Sequence, residues 1–185
     1  VTEPAAALLL ATLGAALVGG GAAIAAALWL SEFAPRPAVA PLRRVCEIAA
    51  AVPSIVWGQL ALSAAAPRMA REGIAPLPLV AVLSVMVAPA LTLLALDALR
   101  RTPDDVREAS LALGASRWQT AWRAVLPAAR DALLASLVRT VGRACAEAAV
   151  LLWLTTGLAP HGAVPVAIVT ALVAGRIERG RGARA

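Results

Sequence analysis

Residues Ala5 to Leu30 form a run of twenty-six residues without a single charge. A helix needs about 20 apolar residues to cross a bilayer, and a helix on the surface of a soluble bundle carries a polar face. This run has none, and it is longer than the apolar core of a secretory signal. Inside lipid each backbone polar group must be satisfied within the segment. The run therefore predicts a membrane-spanning helix and an all-α, polytopic helix bundle around it.

Further candidates follow along the chain. Ile48 to Ala66 and Leu77 to Leu96 are uncharged. A fourth run, from about Ala132 to Thr156, is interrupted by Arg139, Arg143 and Glu147. A fifth, Leu158 to Gly175, is short and holds Pro160 and Pro165. The whole chain is 61% hydrophobic, with a mean hydropathy of +0.80. A soluble domain is nearer half apolar. About five spans are expected in one transmembrane domain over residues 1–185.

All 17 basic residues are arginine, and the net charge is +6. If the segments 31–44, 97–131 and 176–185 share one side, that side holds thirteen arginines, while the opposite side holds only Arg68 and Arg71. Such a bias marks the arginine-rich side as cytoplasmic. It places Arg36 and Arg184 on the same side and the N-terminus outside. The arginines lie between apolar blocks and not along an aromatic-interleaved face, so nucleic acid is not the expected partner.

Several chemistries are excluded. The chain has no lysine, so no GxxxxGK[ST] phosphate-binding loop can occur in it. Cys46 and Cys145 form no CxxC and His161 is the single histidine, which leaves no metal site. No nucleophile, base and orienting group stand together. No cofactor, no metal and no catalytic residue is expected.

A polar insert, at about residues 100–130, breaks the apolar pattern. Pro103 opens it, with Thr102 as the expected N-cap and Asp104 and Asp105 in the first turn, where the helix dipole favours negative charge. A short helix should run to Leu113. Gly114 should end it in the left-handed conformation. Ser116 can cap a second helix reaching Leu126, and Pro127 should mark the return to the membrane. Leu111, Leu113, Trp118, Trp122 and Leu126 give this hairpin an apolar side. It is read either as a solvated loop resting on the bilayer through its tryptophans or as a rigid knob docked into a soluble partner.

The order Glu108-Ala109-Ser110, three residues, Gly114, nine residues, Ala124-Val125-Leu126-Pro127 resembles the EAA loop of ABC-importer permeases. Ser110 stands for the second alanine of that pattern and Ala124 for an isoleucine. The resemblance implies the type I importer fold and a coupling-helix pair that sits in a groove of a separate ATP-binding ABC subunit. Glu108, Ala109, Ser110, Gly114, Arg117, Trp118, Leu126 and Pro127 would form that contact.

Two more stretches are similar to phosphate-importer permeases. "EIAAAVPSIVWG", Glu47 to Gly58, matches a stretch in which Pro53 would kink the second span and free carbonyls near Ser54. "GRACAEAAVLL", Gly142 to Leu152, matches their G-R-A-x-G-E stretch, and "LWLSEFA" before Pro35 their first cytoplasmic turn. The likeness covers Leu8 to Gly157 and is greater to the second of the two paired subunits. It implies a multi-pass protein of the bacterial inner membrane. Its implied partners are an ATPase, a second permease subunit, an extracytoplasmic phosphate-binding protein, membrane lipid and phosphate. Ala51 and Ala146 replace the family's glycines, Ala148 and Val150 replace a threonine and a proline, and Arg139 is an added charge. The family's first helix and long last outer loop are expected to be missing.

In the fourth run Arg143 and Glu147 stand four apart, on one helix face, with Arg139 extending the stripe. A charge inside a bilayer faces a pathway or another helix. One reading is an internally neutralised pair that fixes packing. The other is a substrate pathway of Arg143, Glu147, Pro53 and Ser54, in which the Arg143 guanidinium offers a planar fork to two oxygens of the anion. The functions in view are phosphate import, import of another oxyanion such as tungstate, molybdate or sulfate, and a shortened, non-transporting subunit that still binds the ATPase.

Overall fold

The computed structural model describes residues 2–53, 56, 57, 59, 63 and 76–156 of the 185-residue chain. The described part is helical: α1 (Thr2–Glu32), α2 (Arg36–Ala51), α3 (Pro76–Arg100), α4 (Asp104–Ala112) and α5 (Arg117–Thr120). A single π-helical turn (Ala121–Val125) then leads into α6 (Leu126–Thr156). Two helices contain stretches long and apolar enough to cross a membrane, Leu10–Glu32 and Val80–Arg100. These are the first and third of the expected spans. Residues 158–175 and 184, on which the fifth span and the basic tail were expected, lie outside the described residues, as does Arg71.

Packing centres on α1 against α3. Ala11, Ala15, Gly19, Ala23 and Ala27 recur every four residues on α1, and all five are buried. Positions four apart lie on one helix face, and small residues there let two backbones approach. The approach is closest at Gly19, where an added Cβ would lie 2.8 Å from the Cα of Ser84 and 3.0 Å from its carbonyl oxygen. Leu83, Val87 and Leu91 of α3 are fully buried. The opposite side of α1 exposes Leu10, Leu13, Leu17 and Val18, an apolar face suited to lipid or a neighbouring helix.

Three hydroxyl groups of α3 and α6 bond within their own helix. Thr92 Oγ1 donates to the carbonyl of Ala88, Ser136 Oγ to Ala132 and Thr140 Oγ1 to Ser136, each at 2.8 Å. This i−4 back-bonding lets a hydroxyl sit in an apolar helix.

α2 begins at Arg36 and runs without a break through Pro41 to Ala51. Its C-cap is Val52, and the Pro53 carbonyl accepts from Val56 and Trp57, which opens a new turn. Proline lacks the N–H that would continue the helix. The rest of the expected second span lies outside the described residues. One expectation needs correction: the second helix of the insert does not end at Leu126. The chain from Arg117 to Thr156 is continuously helical, and the π turn lies just before Pro127. There the Leu126 N–H reaches the Ala121 carbonyl, one residue further back than in an α-helix. The wider turn makes room for a proline ring that would otherwise meet the carbonyl of Arg123.

A packing test follows from the α1–α3 contact. Gly19→Leu must push the two helices apart, because the neighbour it meets is backbone. A loss of about 1–3 kcal/mol of stability is expected, read as a lower midpoint in detergent denaturation. Leucine at the exposed Gly21, where an added Cβ meets nothing within 4 Å, should leave the midpoint unchanged.

Candidate functional site

α3 ends at Arg100, where the Thr102 N–H returns to the Leu99 carbonyl at 3.1 Å. The N-cap of α4 is Pro103, and its extended backbone launches the helix without a side-chain cap. The expected Thr102 cap is therefore corrected: Thr102 is buried and its carbonyl is used by Arg107. Asp104 and Asp105 occupy the first turn of α4.

The far end of α4 closes with two bonds, from the Gly114 N–H to the Leu111 carbonyl at 2.9 Å and from the Ala115 N–H to the Ser110 carbonyl at 3.2 Å. This pair of bonds is the Schellman arrangement, which requires a left-handed residue after the helix. Gly114 supplies it with φ of +84°. Ser116 then caps α5 reciprocally: its hydroxyl accepts from the Gln119 N–H at 3.3 Å, and its own N–H donates to Gln119 Oε1 at 2.8 Å. Ser110 Oγ and Thr120 Oγ1, 3.0 Å apart, tie the two limbs together. The departure from alanine at position 110 thus has a structural use.

The hairpin is seated by charged residues, of which Glu32 and Arg107 are not among the expected contact residues. Arg107 sends Nε and Nη2 to the two carboxylate oxygens of Glu32, at 3.2 and 3.0 Å. Its remaining donors reach the carbonyls of Thr102 at 2.7 Å and Leu99 at 3.2 Å, and Asp104 at 3.2 Å. Side-chain exposure is 20% for Arg107 and 11% for Glu32. The hydrogen bond to Glu32 holds the Arg107 guanidinium further above its usual range, so it stays charged. Arg117 Nη2 donates to the Glu32 backbone carbonyl, and its guanidinium lies 5.9 Å from the Phe33 ring centroid. Trp118 packs on Phe33 at 5.7 Å and on Trp122 at 5.6 Å. The signal available in the sequence was Glu32 itself, a carboxylate closing a long apolar run and in need of a partner.

Other expected residues face outward. Glu108, Ala109, Gly114 and Pro127 are exposed, and Leu126 is half-buried. Leu113, at the tip, is 89% exposed, and Trp118 remains 60% exposed despite its ring contacts. The hairpin therefore presents an apolar tip, Leu113, with Arg123 lining the same cleft.

Arg143 stands on α6, exposed, with Nη2 3.5 Å from the carbonyl of Ala50. Ala50 belongs to the last turn of α2, where carbonyls lack intrahelical partners, three residues before Pro53. The structure thus brings Arg143 beside the Val52-Pro53 stretch. Ser54 lies outside the described residues. Glu147 is in α6, one turn beyond Arg143, and its side chain is outside the described part. Asp97, near the end of α3, accepts from Arg43 Nη1 at 2.9 Å, and Arg43 Nε also donates to Glu47 at 2.9 Å. Among the described residues no cluster of three or more His, Cys, Asp or Glu side chains forms a metal site.

The hairpin's geometry generates a test of its own. A Cβ at Gly114 would meet nothing within 4 Å, so substitution costs only backbone strain. Valine should cost about 1–2 kcal/mol and speed amide exchange in residues 110–120, while asparagine, which tolerates this conformation, should not.

The model of the family described as "Binding-protein-dependent transport system inner membrane component" matches residues 19–174. Among curated proteins the chain is similar to the "Probable ABC transporter permease protein YqgH" of Bacillus subtilis (strain 168). Identity is 36% over 142 residues, covering 74% of this chain and 46% of that protein. It is also similar to "Phosphate transport system permease protein PstC 2" of Mycobacterium tuberculosis, 30% identical over 163 residues, 76% of this chain and 50% of that protein. A "Phosphate transport system permease protein PstA homolog" of Mycoplasma pneumoniae is 31% identical over 143 residues, 74% of this chain and 22% of that protein. Both subunit names occur, so the expected lean toward the second subunit finds no support. The chain spans about half the length of the first two of these relatives.

Proposed function

Because the chain belongs to the family of binding-protein-dependent transport inner membrane components, we propose that it is a permease subunit of an ATP-driven phosphate importer. The observation that carries the reading is the capped hairpin of α4 and α5, with Glu108, Ala109 and the Leu113 tip turned outward. A partner with a groove takes such a knob, and an ATP-binding ABC subunit is the partner this family's transport requires. ATP hydrolysis then belongs to that subunit. A second permease subunit covers the exposed apolar faces, and an extracytoplasmic binding protein delivers the anion.

Phosphate is the proposed substrate because several relatives carry phosphate transport in their names and because of Arg143. In the reading proposed here Arg143 meets the anion. Its guanidinium lies beside the end of α2, with Nη2 3.5 Å from the Ala50 carbonyl. A guanidinium fork suits two such oxygens, and an ammonium does not reproduce it. Glu147, one turn away, tempers the positive charge so that the anion is released.

The test is phosphate uptake in lipid vesicles holding this chain with its ATPase, second permease subunit and binding protein. Replacing both Arg143 and Glu147 by alanine removes the pair without leaving an unpaired charge. The double variant should assemble and bind the ATPase, yet lose about tenfold or more of its uptake, the value of a charge-assisted hydrogen bond. Arg143→Lys should lose nearly as much. Normal uptake by the double variant would reduce Arg143 to a packing residue, and uptake of tungstate or molybdate in place of phosphate would reassign the substrate.

A further inference from the structure

The hairpin is continuous in the chain with two long helices, α3 on one side and α6 on the other. It has no covalent connection to α1, whose end lies seventy-odd residues earlier. Yet the most completely hydrogen-bonded side chain described in the hairpin, Arg107, reaches across to that end. Its donors meet five acceptors on three pieces of structure: Glu32 of α1, the Leu99 and Thr102 carbonyls at the end of α3, and Asp104 of α4. The Glu32 contact is fork to fork, which fixes orientation as well as distance. Arg117 on the Glu32 carbonyl and Trp118 on Phe33 add two further contacts to the same two-residue stretch. Beneath them Leu28 and Leu30 of α1 pack in one cluster with Leu96 and Leu99 of α3 and with Ala121 and Val125 of the π turn.

We propose that Glu32 and Arg107 form a mechanical joint that makes the cytoplasmic end of α1 move with the hairpin as one body. Force applied to the hairpin then enters three helices and not two. The consequence reaches the anion side. α2 starts four residues after Glu32, is pinned to α3 through Arg43 and Asp97, and ends at the Ala50 carbonyl that Arg143 approaches. Displacement of the α1–α2 turn therefore shifts the end of α2 relative to α6. Arg107 and Glu32 are positioning residues, acting through helix placement and not on the substrate. The inference rests on the reading of the hairpin as the contact with an ATPase.

The joint is tested on the purified permease–ATPase complex in lipid nanodiscs by hydrogen exchange. In one body the two segments loosen together. Arg107→Met, and separately Glu32→Gln, which keeps size and fold, should accelerate exchange about tenfold both in residues 108–118 and in residues 29–34. Acceleration in the hairpin alone, or in neither segment, overturns the proposal. If the unaltered complex moves no phosphate, the substrate reading fails while the exchange experiment still decides the joint.

Discussion

Inside a bilayer, apolar surface gains nothing by turning away from lipid, so helices associate through close packing and through hydrogen bonds. The stripe of alanine and glycine on α1 is the solution this chain uses. It lets the backbone at Gly19 rest against Ser84, and the axial register of α1 on α3 follows from that contact. Register in turn decides where α1 ends. Glu32 arrives level with Leu99 and Thr102, within reach of a guanidinium that also binds those carbonyls. A displacement of α1 by one turn, about 5.4 Å, would leave Arg107 without its carboxylate.

Charge joins the helices at several places. At the base of the hairpin Glu32 pairs with Arg107, and on α2 Arg43 binds both Asp97 of α3 and Glu47 of its own helix. The Glu32–Arg107 and Arg43–Asp97 pairs join elements distant in the chain, and the first is shielded from solvent well enough to resist screening. On α6, Arg143 places Nη2 3.5 Å from the Ala50 carbonyl at the end of α2.

The hairpin combines local and distant control. Its own caps, the Schellman closure at Gly114 and the Ser116–Gln119 reciprocal cap, need no other part of the protein. They set the angle between α4 and α5 and turn Leu113 outward. The base is set elsewhere, by Phe33 and Glu32 of the α1–α2 turn and by the widened helical turn before Pro127. The hairpin thereby has a capped body and an exposed apolar tip.

Much of this was legible in the sequence, since its signals are short-range. Uncharged length marks spans, Gly114 marks a left-handed closure, and Ser116 marks a cap. Where a local signal has two solutions, tertiary contacts choose between them. Thr102 is a good cap in isolation, but its backbone is held by Arg107 and its side chain is buried. Pro127 reads as a helix break, yet a π turn admits it and α6 stays continuous with α5. Asp97 reads as a helix-end charge until α2 brings Arg43 to it. What only the tertiary structure decided are the contacts between residues 54, 75 and 93 positions apart: Arg43 with Asp97, Glu32 with Arg107, and Arg143 with Ala50. Periodicity and propensity report what a segment does by itself. The partner of a buried charge depends on which helices meet and at what register, and here that register follows from the close approach of α1 and α3.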